Sequence, residues 1–145
     1  MTTPLSPQSA YHELSSYTLT HPSPEFIHQY VVDAFAAQTA DKDTKPITIL
    51  FALVGLYLHL EKGFTGRAVQ LAHMQLGKVK ESWPIFPLPQ FRGTITVFDV
   101  VATPPGLTRD AMIKKWINEV WEAWGDSHAQ VGSWLASHPN LHIAS

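Results

Sequence analysis

The stretch Lys45–Gly63, KPITILFALVGLYLHLEKG, constrains this chain more than any other. Between Ile47 and Leu60 only Thr48 and His59 are polar. On a helix of 3.6 residues per turn, Leu50, Phe51, Leu53, Val54, Leu56 and Leu58 point in every direction. A helix apolar all round has to be covered on all sides. The rest of the chain must therefore wrap it. Pro46 suits the first helical turn, and Gly63 suits the close, with Lys62 at the negative end of the dipole. A span needs about 20 apolar residues, and this run is shorter, so it reads as a core helix over about 46–62.

The neighbouring segments also read as helices. In Ala10–Leu19, Tyr11, Leu14 and Tyr17 or Thr18 keep helical spacing, and His21-Pro22 ends the pattern. Ser23-Pro24-Glu25 reads as a cap, a first-turn proline and a favourable acid, which predicts a helix over Pro24–Thr39. Thr65 caps a helix over Gly66–Lys78, with Val69, Ala72, His73 and Leu76 on its apolar face. Trp83–Phe91, WPIFPLPQF, alternates proline with apolar groups and predicts an extended crossing. Thr94–Val101 reads either as a strand or as a short helix. The helix is favoured, because Thr96 and Asp99 have capping-box spacing and no partner strand is visible. Thr108–Ser137 is the longest helical pattern, with Thr108 as cap and Gly125 as a place to kink or split. The expectation is one all-α domain over 1–145, with five or six helices around the 46–62 helix. Residues 1–8 and 140–145 read as loose tails.

Composition narrows the function classes. Ten basic and twelve acidic residues give a net charge of -2, and no basic stripe exists. Nucleic-acid binding and attraction to an anionic membrane have no electrostatic support. Cysteine is absent, which removes disulfides, thiolate metal sites and cysteine nucleophiles. The N-terminus lacks a basic region followed by an apolar run, so no signal peptide is expected and a soluble cytoplasmic protein is. No Gly-rich phosphate loop and no GxSxG motif appear.

Eight histidines give the chain its most chemical character. His12, His28, His59 and His73 fall on four successive helices. With Asp33 and Glu61 they predict, at most, a His/carboxylate site for Zn, Fe or Mn between helices. No HExxH or ExxH fixes two ligands on one helix. His28 and Asp33 lie on opposite flanks, and His59 and Glu61 diverge by about 160°. The simpler reading of each histidine is a core or helix-end group donating to a carbonyl. Asp33 sits among apolar residues in VVDAFAA and needs donors or a cation, with Arg67, Arg92 and Arg109 as candidates. Glu61 and Arg67 flank the Gly63 turn and predict an ion pair. Trp116, Trp121 and Trp124 share one stripe. They read as core, or as an aromatic pocket for a flat ligand, haem or flavin.

The segments FIHQYVVDAFAAQ, VGLYLHLEKG, TVFDVVA, WINEVWEAW and HAQVGSWL, in that order, resemble a family of small bacterial proteins known only as a domain of unknown function. The resemblance runs from about Tyr11 to Leu135. It places His28, Asp33, Gln38, Glu61 and Trp121 at motif positions and implies no activity. Members typically carry a CPxCG-type N-terminal segment, which this chain lacks. The expectation is a small-ligand-binding or protein-interaction domain, with a homo-oligomer as one form. The alternatives are a metal-dependent enzyme and a haem or flavin carrier.

Overall fold

The structure, a computed structural model, describes residues 6–21, 25–79 and 82–138. Among them the chain is all-α, with no strand. The helices are α1 (Pro7–Thr20), α2 (His28–Thr39), α3 (Pro46–Lys62), α4 (Gly66–Leu76), α5 (Val97–Ala102), α6 (Leu107–Ala123) and α7 (His128–Ala136). A single 3-10 turn, Gly125–Ser127, separates the last two. Seven helices replace the expected five or six, because the long C-terminal pattern divides at Gly125 and the short α5 counts separately. None is long and apolar enough to cross a membrane among the described residues.

No residue from Ile49 to Leu58 is exposed on α3. The helix meets α2, α4, α6 and α7, while α2 meets α1, α3, α4 and α6. The core is thus built on two adjacent helices. Gly63 closes α3 in the left-handed region at φ 73°, and its N–H reaches the His59 carbonyl. Thr65 then starts α4 by accepting from the Ala68 N–H at 3.2 Å.

Two helix starts differ from expectation. Ser23 and Pro24, read as cap and first turn, lie outside the described residues. The helix predicted from Pro24 begins instead at His28. Phe26 has φ 58°, which no α-helix accommodates, and this turn lies against α4. The Gly66 N–H donates to the Glu25 carbonyl at 2.5 Å, and Arg67 lies over the Phe26 ring at 4.2 Å. Thr108 is not the cap of α6. Gly106, at φ 103°, precedes the first helical residue, Leu107.

Residues 94–101 resolve toward the helix. Asp99 accepts from the Thr96 N–H at 2.8 Å, completing the capping box that starts α5. Before it, residues 82–96 form no helix or strand and cross the domain as a strap. Arg92 fastens this strap. Its guanidinium donates to the Pro89 carbonyl at 2.6 Å and to the carbonyls of Ala37 at 3.1 Å, Gln38 at 3.3 Å and Ala40 at 2.9 Å. The last carbonyls of a helix lack partners within the helix, so one planar cation completes α2 and holds the strap on it. Arg92→Ala should therefore cost about 1–3 kcal/mol and speed proteolysis within 82–96, while Arg92→Lys should recover only part of the loss. Urea unfolding and limited digestion measure both. Digestion of the strap at the wild-type rate in Arg92→Ala would contradict this anchoring.

Candidate functional site

The residues expected to meet at one polar centre divide among several places. His12 is exposed on α1. His28 lies 3.0 Å from the Thr18 hydroxyl, which itself donates to the Ser15 carbonyl, and burial lowers its pKa. The His59 ring stacks on Tyr30 at 3.5 Å between centroids. Its Nδ1–H donates to the Phe64 carbonyl at 2.8 Å. Burial lowers its pKa against that bond. These are the helix-end and core roles that the simpler reading assigns to histidine. Among the described residues, no three His, Asp or Glu side chains gather as a metal ion would need.

The predicted Glu61–Arg67 ion pair is absent. Glu61 accepts from the Trp121 Nε1–H at 2.8 Å, and Arg67 donates to Gln70 at 2.8 Å. Two pulls explain this: an indole N–H in the core must find an acceptor, and Arg67 is drawn over Phe26. The aromatic-pocket reading also gives way to core. Trp116, Trp121 and Trp124 are at most 2% exposed. Each N–H is used: Trp116 on Gln38 Oε1 at 2.9 Å, Trp121 on Glu61, and Trp124 on the Ala37 carbonyl at 3.2 Å.

Asp33 and His73 do come together. Asp33 projects from α2 toward α3 and α4 and is 3% exposed. None of the expected arginines reaches it. Arg92 serves the end of α2, and Arg109 donates to the Thr103 and Val101 carbonyls at the end of α5. The facing position on α3 is Gly55, and a Cβ there would lie 1.9 Å from Asp33 Oδ2. A mid-helix glycine costs about 1 kcal/mol against alanine. Here it makes the hollow that admits the carboxyl group.

Asp33 Oδ2 is buried without a hydrogen-bond partner, while Oδ1 accepts from Gln29 Nε2 at 3.3 Å. The same amide nitrogen lies 3.3 Å from His73 Nδ1. His73 Nε2 lies 2.8 Å from the Phe51 carbonyl, which only accepts. Nε2 therefore carries the proton and Nδ1 accepts from Gln29. His73 Nε2 stands 3.9 Å from Asp33 Oδ1, a loose contact. Burial holds the Asp33 carboxyl well above the usual carboxylate range, and the Gln29 bond is a smaller effect in the other direction. Burial also lowers the His73 pKa, against the Phe51 bond. Burial thus favours the neutral form of both groups. Gln29 is not among the residues singled out from the sequence, although its spacing of four from Asp33 on one helix is a legible signal.

This pair borders an open cleft of about 350 Å³ between α2, α3 and α4. Val32, Ala36, Ile47, Phe51 and Ala52 give it apolar walls, and Thr48, Asp33 and His73 supply its polar groups. The Phe51 and His73 rings stack at 5.2 Å. Volumes of about 300–1,000 Å³ with few polar groups are usual for small-molecule sites.

A family model described as a family of unknown function, DUF5946, matches residues 6–125. The chain belongs to this family. The DUF5946 match contains every residue of the cleft and stops before α7, short of the Leu135 limit expected from the resemblance. No curated protein and no solved structure matches the chain.

A buried acid gives stability a pH dependence of known sign. The unfolded carboxyl ionises near its ordinary value of 3.8, and the folded one ionises well above it. Stability from Asp33 is therefore complete below pH 3.8 and is lost as pH rises toward the folded pKa. Asp33→Asn keeps the shape of the neutral acid and cannot ionise. Its Tm relative to wild type should rise as pH increases above about 4 and level off above the folded pKa. The histidine titrations are common to both proteins and largely cancel in the difference. A pH-independent difference in paired thermal scans would show that Asp33 titrates normally.

Proposed function

We propose that this protein binds a small molecule in the cleft between α2, α3 and α4, with Asp33 as the polar group that orients it. The observation that carries the reading is a nearly fully buried carboxyl with a partnerless oxygen beside an apolar cleft. Burying a polar atom without a partner costs about 1–3 kcal/mol, and turning the carboxyl from Gly55 toward the cleft lets a ligand donor recover that cost. The arrangement favours binding over chemistry. Both His73 nitrogens are engaged, by Phe51 and Gln29, so the ring is not free to serve as a base or a metal ligand. An occupant is largely apolar, about one ring in size, with a single polar end.

The test is an NMR titration with one-ring compounds carrying cationic, neutral or anionic ends. At least one class should shift the amide signals of Val32, Ala36, Phe51 and His73. Thr48 is exposed at the cleft rim, so Thr48→Trp should block the shifts without unfolding the domain. Shifts confined to other surfaces, or none from any class, would remove the reading.

A further inference from the structure

The walls of the cleft contain an acid and no Lys or Arg. An anionic ligand would leave water for a site whose lining offers no counter-charge. A neutral alcohol or amide could hydrogen-bond to Asp33 and gain nothing further. An organic ammonium ion gains more. It meets a carboxyl that no cation of the protein occupies, beside the aromatic faces of Phe51 and His73. We propose that the ligand of this cleft is an organic ammonium ion with an apolar body, held by Asp33 as its carboxylate. This rests on the proposed function above and adds the ligand's charge class.

Proton balance follows from the geometry. In the free protein the carboxyl lies against Gly55, with Gln29 as its donor. The one titratable group facing it is His73 of α4; Gly55 of α3 and Gln29 of α2 do not titrate. An arriving ammonium ion keeps its own protons. The Asp33 proton leaves to solvent, and an N–H···O bond between unlike charges forms in its place. The complex is neutral overall, which suits an apolar enclosure better than a lone charge of either sign. The terminal torsion of an aspartate is soft, so turning it can present either oxygen to the cleft.

Calorimetry with three near-isosteric probes tests this: 2-phenylethylammonium, 2-phenylethanol and phenylacetate. At pH 7 the ammonium probe should bind at least about tenfold more tightly than the alcohol, and phenylacetate should not bind. In buffers of different ionisation enthalpy, ammonium binding should show a net release of protons. Asp33→Asn should abolish that release and lower ammonium affinity by about tenfold or more, a clearly larger loss than it causes for the alcohol. Alcohol and ammonium binding equally, both blocked by Thr48→Trp, would overturn the charge assignment and leave the ligand cleft standing. No binding by any of the three would overturn both.

Discussion

Gly55→Ala is expected to destabilise the protein, although alanine is the better helix former. The intrinsic gain is about 1 kcal/mol. The added Cβ would fall 1.9 Å from Asp33 Oδ2 and 2.5 Å from its Cγ. The two backbones cannot part cheaply, since α2 and α3 pack against each other, and turning the carboxyl leaves its Cγ in place. Overpacking of this kind costs about 1–3 kcal/mol, so it outweighs the propensity. The sharper expectation concerns the pair. In Asp33→Ala the hollow is empty, and Gly55→Ala on that background should be neutral or stabilising. A double-mutant cycle by urea unfolding reads the coupling directly. Additive effects would mean that the carboxyl does not occupy the Gly55 hollow, and the description of the site would fall with it.

Trp116→Ala should cost more, about 3–5 kcal/mol, the range for a fully buried large aromatic. Trp116 is 0% exposed and lies where α6 meets α2. Its N–H holds Gln38 Oε1, and the Gln38 amide in turn donates to the Arg92 carbonyl at 3.1 Å and the Ile95 carbonyl at 2.7 Å. One glutamine thus joins α2, α6 and the strap. Trp116→Phe keeps much of the volume but strands Gln38 Oε1, so a smaller loss of about 1–3 kcal/mol is expected. A side chain that faced a vacant flat-ligand pocket would behave differently. Unfolding free energies within 1 kcal/mol of wild type for Trp116→Ala would restore that reading.

Much of the fold is legible because single residues punctuate the chain. Pro46 and Gly63 bound α3, Thr65 caps α4, and the spacing of Thr96 and Asp99 announces α5. Phe26 is different. Ser23-Pro24-Glu25 carries good local start signals, yet the helix begins later, because the turn docks on the start of α4. That contact joins residues 25 and 66, and no local pattern encodes it.

The site was legible in one half only. Asp33 stands out as a carboxylate in an apolar run, and His73 stands out on the apolar face of its helix. Their meeting depends on the packing of α2, α3 and α4, so the sequence points Asp33 to His28 or His59, and the structure puts His73 beside it instead. The eventual arrangement has two further members that carry no alarm in the sequence. Gln29 reads as an ordinary polar helix residue. Gly55 reads as a weak point in a helix, and its reason becomes visible only with Asp33 opposite. The tryptophans and Glu61 went astray for a related reason. Indole N–H groups in a core recruit whatever acceptor lies in reach, here Glu61, Gln38 and the Ala37 carbonyl.

The proposal that everything else depends on is that Asp33 keeps its proton beside the cleft and ionises against a cation. Carbon-13 NMR of the Asp33 side-chain carboxyl tests it most directly, with Asp33→Asn fixing the assignment. At pH 7 the signal should stand at the position of a protonated acid, and 2-phenylethylammonium should move it to that of a carboxylate. A signal that titrates near pH 4 and ignores the ammonium probe would contradict the account.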